Sequence, residues 1–212
     1  MYAPKRLIQN LSVYLGELER LISADGQCTT AEKTKLLAEA ANIKEYVGAL
    51  NQLPDNHRLT AQHIQLGLAL APHPEGGFYR EFIRNETCTV IFYLLPAEAI
   101  SSWHSLKDTR EVFKQISGAS LFIPKIDASG HWRSEEEASY ENDVVIEKNK
   151  AAGFGDWFGA YPNGEYGLVT CECRGPFEFA KFKIATPENL SDFHRQNPER
   201  QHMIDKLAPK SS

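Results

Sequence analysis

The stretch SSWHSLKDTREVFKQISG, residues 101–118, decides the fold. It reads as two short strands joined by the charged turn KDTR. His104 ends the first strand, Glu111 begins the second, and Gly118 closes it. In a small β-barrel successive side chains alternate inward and outward. The spacing lets His104, Leu106, Glu111, Phe113 and Gln115 face one interior. A His and a Glu inside an otherwise aromatic interior cost desolvation energy unless they are paired or liganded. Both are therefore candidate site residues. A structural His–Glu pair at a barrel mouth is the plainer explanation of the same spacing.

Eight further segments complete this β pattern: runs at 77–84, 89–96, 120–126, 130–134, 142–148, 156–162, 166–174 and 177–184 accompany the pair at 101–106 and 111–117. They are rich in β-branched and aromatic residues and are separated by turn signals. Short strands without long intervening helices point to a sandwich or barrel, not a βαβ sheet. Residues before 60 differ. Leu7, Leu11, Val13, Tyr14, Leu18, Leu21 and Ile22 recur on one helical face. ADGQ (24–27) breaks that helix at Gly26, and Thr29 with Glu32 forms a capping box for a second helix. Its stripe is Leu36, Leu37, Ala40, Ile43, Val47 and Leu50, ending at Pro54. Thr60 caps a short third helix. The expected organisation is a helical hairpin extension at 1–56, a β domain at 57–187, and a helical, polar tail at 188–212. The hairpin has nothing catalytic in it and is expected to pack on the main domain or on a partner chain.

Bulk properties exclude several classes. A net charge of -5 without a basic stripe argues against nucleic acid and against an acidic membrane surface. No run approaches the ~18 apolar residues of a membrane span, and Glu17 and Glu19 interrupt the N-terminal apolar run, so cytoplasmic residence is expected. Cys28, Cys88, Cys171 and Cys173 lack zinc spacing and are expected as reduced thiols. GFG (153–155) and PEGG (74–77) are too short for a dinucleotide fingerprint. SEEEASYEND (134–143) is expected as a solvated hairpin loop.

PHPEGGFYRE, residues 72–81, reads as a glycine turn that enters a strand close to the barrel rim. Tyr79 and Glu81 then face one way and Phe78, Arg80 and Phe82 the other. Strand parity alone does not say which set faces inward; Arg80 is the expected rim or cavity group and Glu75 a rim residue.

His104, Leu106, Glu111 and Gly118 stand at the spacings of the first cupin motif, H-x-H-x4-E-x6-G, and the second motif is best matched by Gly153, Gly155 and Phe158. HPEGGFYRE, SSWH-x-L, EVF, WFGA and FEFAKFKI together resemble the cupin family called DUF985 or Cupin_5, over roughly residues 60–187. The resemblance implies a jelly-roll β-barrel, a homodimer, and similarity to sugar epimerases that act on nucleotide-linked keto-sugars. The chain departs from metal-binding cupins, because Leu106 and Phe158 stand where two histidine ligands would. His104 and Glu111 remain, with Gln115 as a weak third ligand, so no cofactor is expected and a divalent metal is disfavoured. Lys114 replaces the family's His after E-x-W.

Three functions fit these residues. The first is a metal-free isomerase or epimerase of a sugar-like carbonyl compound. There His104 is the base, Glu111 its orienting partner, and Tyr79, with Tyr93 or Tyr166 as alternatives, the proton donor on the opposite face. Glu75, Arg80, Phe113, Lys114, Gln115, Trp157, Phe158 and Phe179 are the candidate substrate-binding residues. The second is a non-catalytic module for a small anion or nucleotide. The third, a metal-dependent enzyme, is disfavoured by Leu106 and Phe158.

Overall fold

A computed structural model describes residues 4–23, 29–54, 56–147 and 154–209. Gly26, Cys28 and Gly153 lie outside the described residues. The chain opens with helices α1 (Pro4–Ser23), α2 (Thr30–Leu50) and α3 (Ala61–Gly67). The capping box of Thr29 and Glu32 is formed, and Thr60 caps α3. Strands β1 (Ala71–Pro72), β2 (Phe78–Arg84), β3 (Cys88–Pro96), β4 (Ser101–Lys107), β5 (Arg110–Gly118), β6 (Leu121–Ile126), β7 (Trp132–Ala138), β8 (Val144–Ile146), β9 (Phe154–Pro162), β10 (Tyr166–Arg174) and β11 (Phe182–Ile184) follow. Helices α4 (Pro187–Gln196) and α5 (Gln201–Lys206) end the chain.

The strands form two antiparallel sheets, β1-β2-β3-β10-β5-β8 and β11-β4-β9-β6-β7. One core joins their inner faces: Tyr93, Leu95, Phe113, Val169 and Cys171 from the first meet Leu106, Leu121, Ile123, Phe158 and Ala160 from the second. This is the expected mainly β jelly roll with an N-terminal helical hairpin. The two strands of residues 101–118 do not pair with each other. β4 belongs to the second sheet and β5 to the first. The turn between them crosses the sandwich, so His104 and Glu111 approach from opposite walls.

Both outer faces are covered. The hairpin lies on the first sheet, where Leu7, Leu11, Leu18, Leu36, Ala40 and Ile43 share a core with Phe82, Ile83, Val90 and Phe92. Phe82 stacks on Phe92 at 4.1 Å, and Tyr14 meets both rings edge-on. The Tyr14 hydroxyl bonds Thr170 Oγ1 at 2.8 Å, and Asn10 Nδ2 donates to Ile116 O at 2.7 Å. Two members of the expected stripes fall outside this contact: Val13 and Leu37 are exposed, because each sits at the margin of a helical face about 100° wide. The C-terminal segment covers the second sheet. Phe193, Ile204 and Leu207 pack on Trp103, Ile126 and Trp157, and the Trp103 indole N–H donates to Ile204 O at 3.0 Å. Its expected polar character therefore holds for only one face.

Two local expectations are corrected, and one strand was not anticipated. β7 runs on to Ala138 because Ser134, Glu135, Glu136 and Glu137 pair with β6, so the first half of the acidic run is strand. The run at 177–184 is split by a 3-10 turn at Phe179–Lys181, and only Phe182–Ile184 pairs, with β4. The two-residue strand β1 gave no sequence signal. No helix among the described residues is long and apolar enough to cross a membrane.

Candidate functional site

The glycine turn of residues 73–77 sets the site. His73 N–H donates to Gly77 O, and Gly76 N–H to His73 O, both at 3.0 Å. Gly76 has φ +113°, and a Cβ there would lie 2.1 Å from Ile100 O; Gly77 has φ +69°, and a Cβ would lie 2.6 Å from Leu94 O. Only glycine lets this backbone lie against the sheet ends. The turn is then fastened by the serines of β4. Ser102 N–H donates to Glu75 O at 2.9 Å, and Ser101 Oγ donates to Glu75 Oε1 at 2.9 Å. Glu75 is thereby buried within the barrel mouth rather than lying on its rim.

Glu75 is the hub of two imidazoles. Its Oε2 lies 3.4 Å from His104 Nδ1 and 3.8 Å from His73 Nδ1. His104 Nδ1 is also 2.8 Å from Ser102 O. A carbonyl accepts only, so Nδ1 carries the proton and Nε2 is the basic atom of the neutral ring. Burial depresses the His73 pKa, against an opposing pull from Glu75, which favours the neutral ring. His73 packs edge-on to Tyr79 at 4.6 Å.

Glu111 enters from β5. It is buried and its pKa is raised to about 8, first by burial and then by the nearby Glu75 charge, with the Cys171 thiol opposing through a hydrogen bond. The carboxyl therefore keeps its proton at neutral pH. Burial likewise pushes up the Cys171 and Cys173 thiols on β10, which share its face. Tyr93 donates to Gly76 O at 2.8 Å, and burial raises its pKa well above the usual value.

These groups line one cavity of about 80 Å3. Phe177, Phe179 and Phe182 form a ring cluster on its wall, with Phe177–Phe179 centroids 5.1 Å apart. Phe179 is exposed, as is Arg84, so the two mark the mouth.

Of the sequence candidates, the cavity gathers His104, Glu111, Tyr79, Tyr93, Glu75 and Phe179. Others lie elsewhere. Arg80 faces the hairpin, with NH2 2.9 Å from Glu39 Oε1 and NH1 donating to Leu68 O, because Tyr79 takes the inward position on the alternating strand. Lys114 points outward beside α1 and lies 3.9 Å from Asp143. Gln115 keeps the register of Glu111 and Phe113 by pairing with Val169, but it sits four residues, about 13 Å, along β5 from Glu111; it borders other clefts and donates to Gly118 O and does not line the cavity. Trp157 packs outward on Phe193, since its strand neighbour Phe158 faces in. Phe158 and Phe113 are interior but fully packed, with Phe158 edge-on to His104 at 4.1 Å. Glu111 does not orient His104; Ser102 O and Glu75 do. Tyr166 is buried under the hairpin and bonds Ser117 Oγ.

His73, Phe177, Phe182 and Arg84 line the cavity and were not singled out from sequence. His73 had one signal, its place two residues before Glu75 at the mouth of a glycine turn. The metal set of cupins does not fit here. Leu106 and Phe158 put carbon where two ligands would stand, and among the described residues no three His, Cys, Asp or Glu side chains converge to hold an ion. Gln115, the weak third ligand, points elsewhere.

The family model for the cupin superfamily described as DUF985, Cupin_5, matches residues 62–185. A hypothetical protein from Leishmania major is similar in structure at a TM-score of 0.59 and 22% identity, covering 72% of this chain and 100% of its own. A protein from Shewanella oneidensis is similar at a TM-score of 0.60 and 24% identity, covering 73% and 100%. At those identities the likeness speaks for the fold. No curated protein matches the chain. With the jelly roll and the family motifs both in place, the chain belongs to the cupin superfamily, in the DUF985 family.

Proposed function

We propose that the cavity is a proton-transfer site, and that the protein is a metal-free isomerase or epimerase of a small, sugar-like carbonyl compound. One observation carries this. A carboxyl that keeps its proton at neutral pH, Glu111, lines the same cavity as an imidazole of fixed tautomer, His104. A carboxyl that holds its proton can serve as the acid, and an imidazole whose Nδ1 is already engaged by Ser102 O offers Nε2 as the base. His104 Nε2 takes the proton next to the carbonyl, and Glu75 stabilises the imidazolium that results. Glu111 donates to the carbonyl oxygen as the enol forms. Tyr79 is the second donor on the cavity wall.

Size constrains the substrate. The cavity is small, about 80 Å3, so a nucleotide-linked sugar would insert only its reacting end and rest the remainder on Phe177 and Phe179. The anion-binding alternative loses its main support, because Arg80 and Lys114 lie outside the cavity.

The test is solvent exchange. A panel of keto-sugars and smaller hydroxy-ketones is incubated with the protein in heavy water and read by mass spectrometry. Deuterium uptake next to the carbonyl with wild type, lost in His104→Asn, supports the proposal. No uptake from any member above the protein-free rate defeats it.

A further inference from the structure

We propose that the cavity is built to take a small organic ammonium group, with aromatic rings as its walls and carboxylates as its counter-charge. This rests on the cavity being the ligand site, as above, but not on any reaction there. Three carboxylates line it: Glu75, Glu81 and Glu111. Arg84 is the one Lys or Arg among the described lining residues, and its guanidinium is committed. Nε and NH2 hold Glu81 Oε2 at 2.9 and 2.7 Å, and NH1 donates to Phe177 O at 3.0 Å. Glu81 is further satisfied by Lys35 of α2 at 2.7 Å. The buried Lys125 lies beyond Phe158, tied to Glu136 and to Val145 O, and does not reach the cavity.

Glu75 and Glu111 are thus left facing one cavity with no Lys or Arg. Glu75 has the Ser101 hydroxyl and the two imidazoles; among the described residues Glu111 has the Cys171 thiol, a weak donor, as its hydrogen-bond partner. Such carboxylates repel one another, and a cation between them removes the repulsion. The walls suit the same guest. Tyr79, Tyr93, Phe177, Phe179 and Phe182 present rings to the cavity, and ring faces attract organic ammonium groups. An anion finds no free cation there.

Binding should also be linked to protons. The groups around Glu111 are Cys171 and Cys173 on β10, His104 on β4, the Glu81–Arg84 pair on β2, and His73 and Glu75 in the turn. The two thiols stay neutral near pH 8, since burial raises both, and burial favours neutral His73. Glu111 is then the group that must give up a proton to meet a cation, and its free-state pKa is about 8. Affinity should rise roughly tenfold or more from pH 6 to pH 8.

The experiment titrates the intact protein by calorimetry and NMR with choline and with neohexanol, its uncharged carbon isostere. Choline should bind at least tenfold more tightly near pH 8, more weakly near pH 6, and release a proton on binding. Glu111→Gln should remove the pH dependence. Phe179→Ala, at an exposed position, should weaken choline and keeps the test alive should Glu111→Gln fail to fold. Equal affinity for the two isosteres overturns the proposal, as does zinc chloride shifting the cavity resonances when choline does not. If neohexanol or glucose shifts them and choline does not, the ammonium claim falls and the cavity remains the ligand site. If no probe of any charge shifts them, both fall.

Discussion

Replacing Glu111 by Gln should make the protein more stable above neutral pH, not less. The carboxyl titrates at 4.5 in the open chain and at about 8 in the folded protein. Between those values the folded state holds one more proton than the unfolded state, so stability falls as pH rises through the window. The penalty is absent below the unfolded value and complete above the folded one. Each pH unit inside the window is worth about 1.4 kcal/mol. From pH 6 to pH 8, with half the proton gone at the upper limit, wild type should lose about 2 kcal/mol through this group. For a chain of this size that is roughly 4–8 °C in Tm. Gln has the same shape, still accepts from Cys171, and cannot ionise. Thermal melts of both proteins across the interval should diverge by that amount, with Glu111→Gln the more stable at pH 8. His73 works in the opposite sense: its depressed pKa costs stability as pH falls below its unfolded value near 6.5. Both proteins share that effect, so it cancels in the difference. Parallel curves would mean that Glu111 is ionised in the folded protein, and the acid role would fail.

Arg80→Ala should destabilise by roughly 3 kcal/mol, because it strands the buried Glu39; urea unfolding measures this, and ligand affinity should be unchanged. Gly76→Ala should cost about 2 kcal/mol or more, since it combines positive φ with a Cβ on Ile100 O; a Tm equal to wild type would remove the turn from the account. Trp157→Ala should cost roughly 3–5 kcal/mol through the contact with the C-terminal segment, while leaving NMR shifts of cavity residues in place.

Alternation and turn signals sufficed for most strands, and the spacing of His104 and Glu111 sufficed to turn both inward. Parity failed where both faces of a strand are buried. On β2 the outward Phe82 sits under the hairpin and the inward Tyr79 lines the cavity, so apolar character marks neither face. Adjacent residues cannot share a face, which separates Phe158 from Trp157 and Phe113 from Lys114. Gln115 keeps the parity of Glu111 but stands about 13 Å further along β5, and parity does not say how deep a cavity reaches. His73 and Glu75 depend on a turn whose contacts are to Ile100, Ser101 and Ser102, some 25 residues away along the chain. No local pattern encodes such contacts. The crossing of the 101–118 pair between sheets was hidden for the same reason: pairing partners β9 and β10 come much later.

The acid role rests on Glu111 carrying a proton at neutral pH opposite His104. Carbon NMR of protein labelled at the glutamate carboxyl reads this directly. One resonance should titrate near pH 8 and be missing from Glu111→Gln. If every glutamate resonance titrates in the ordinary carboxylate range, the claim is contradicted.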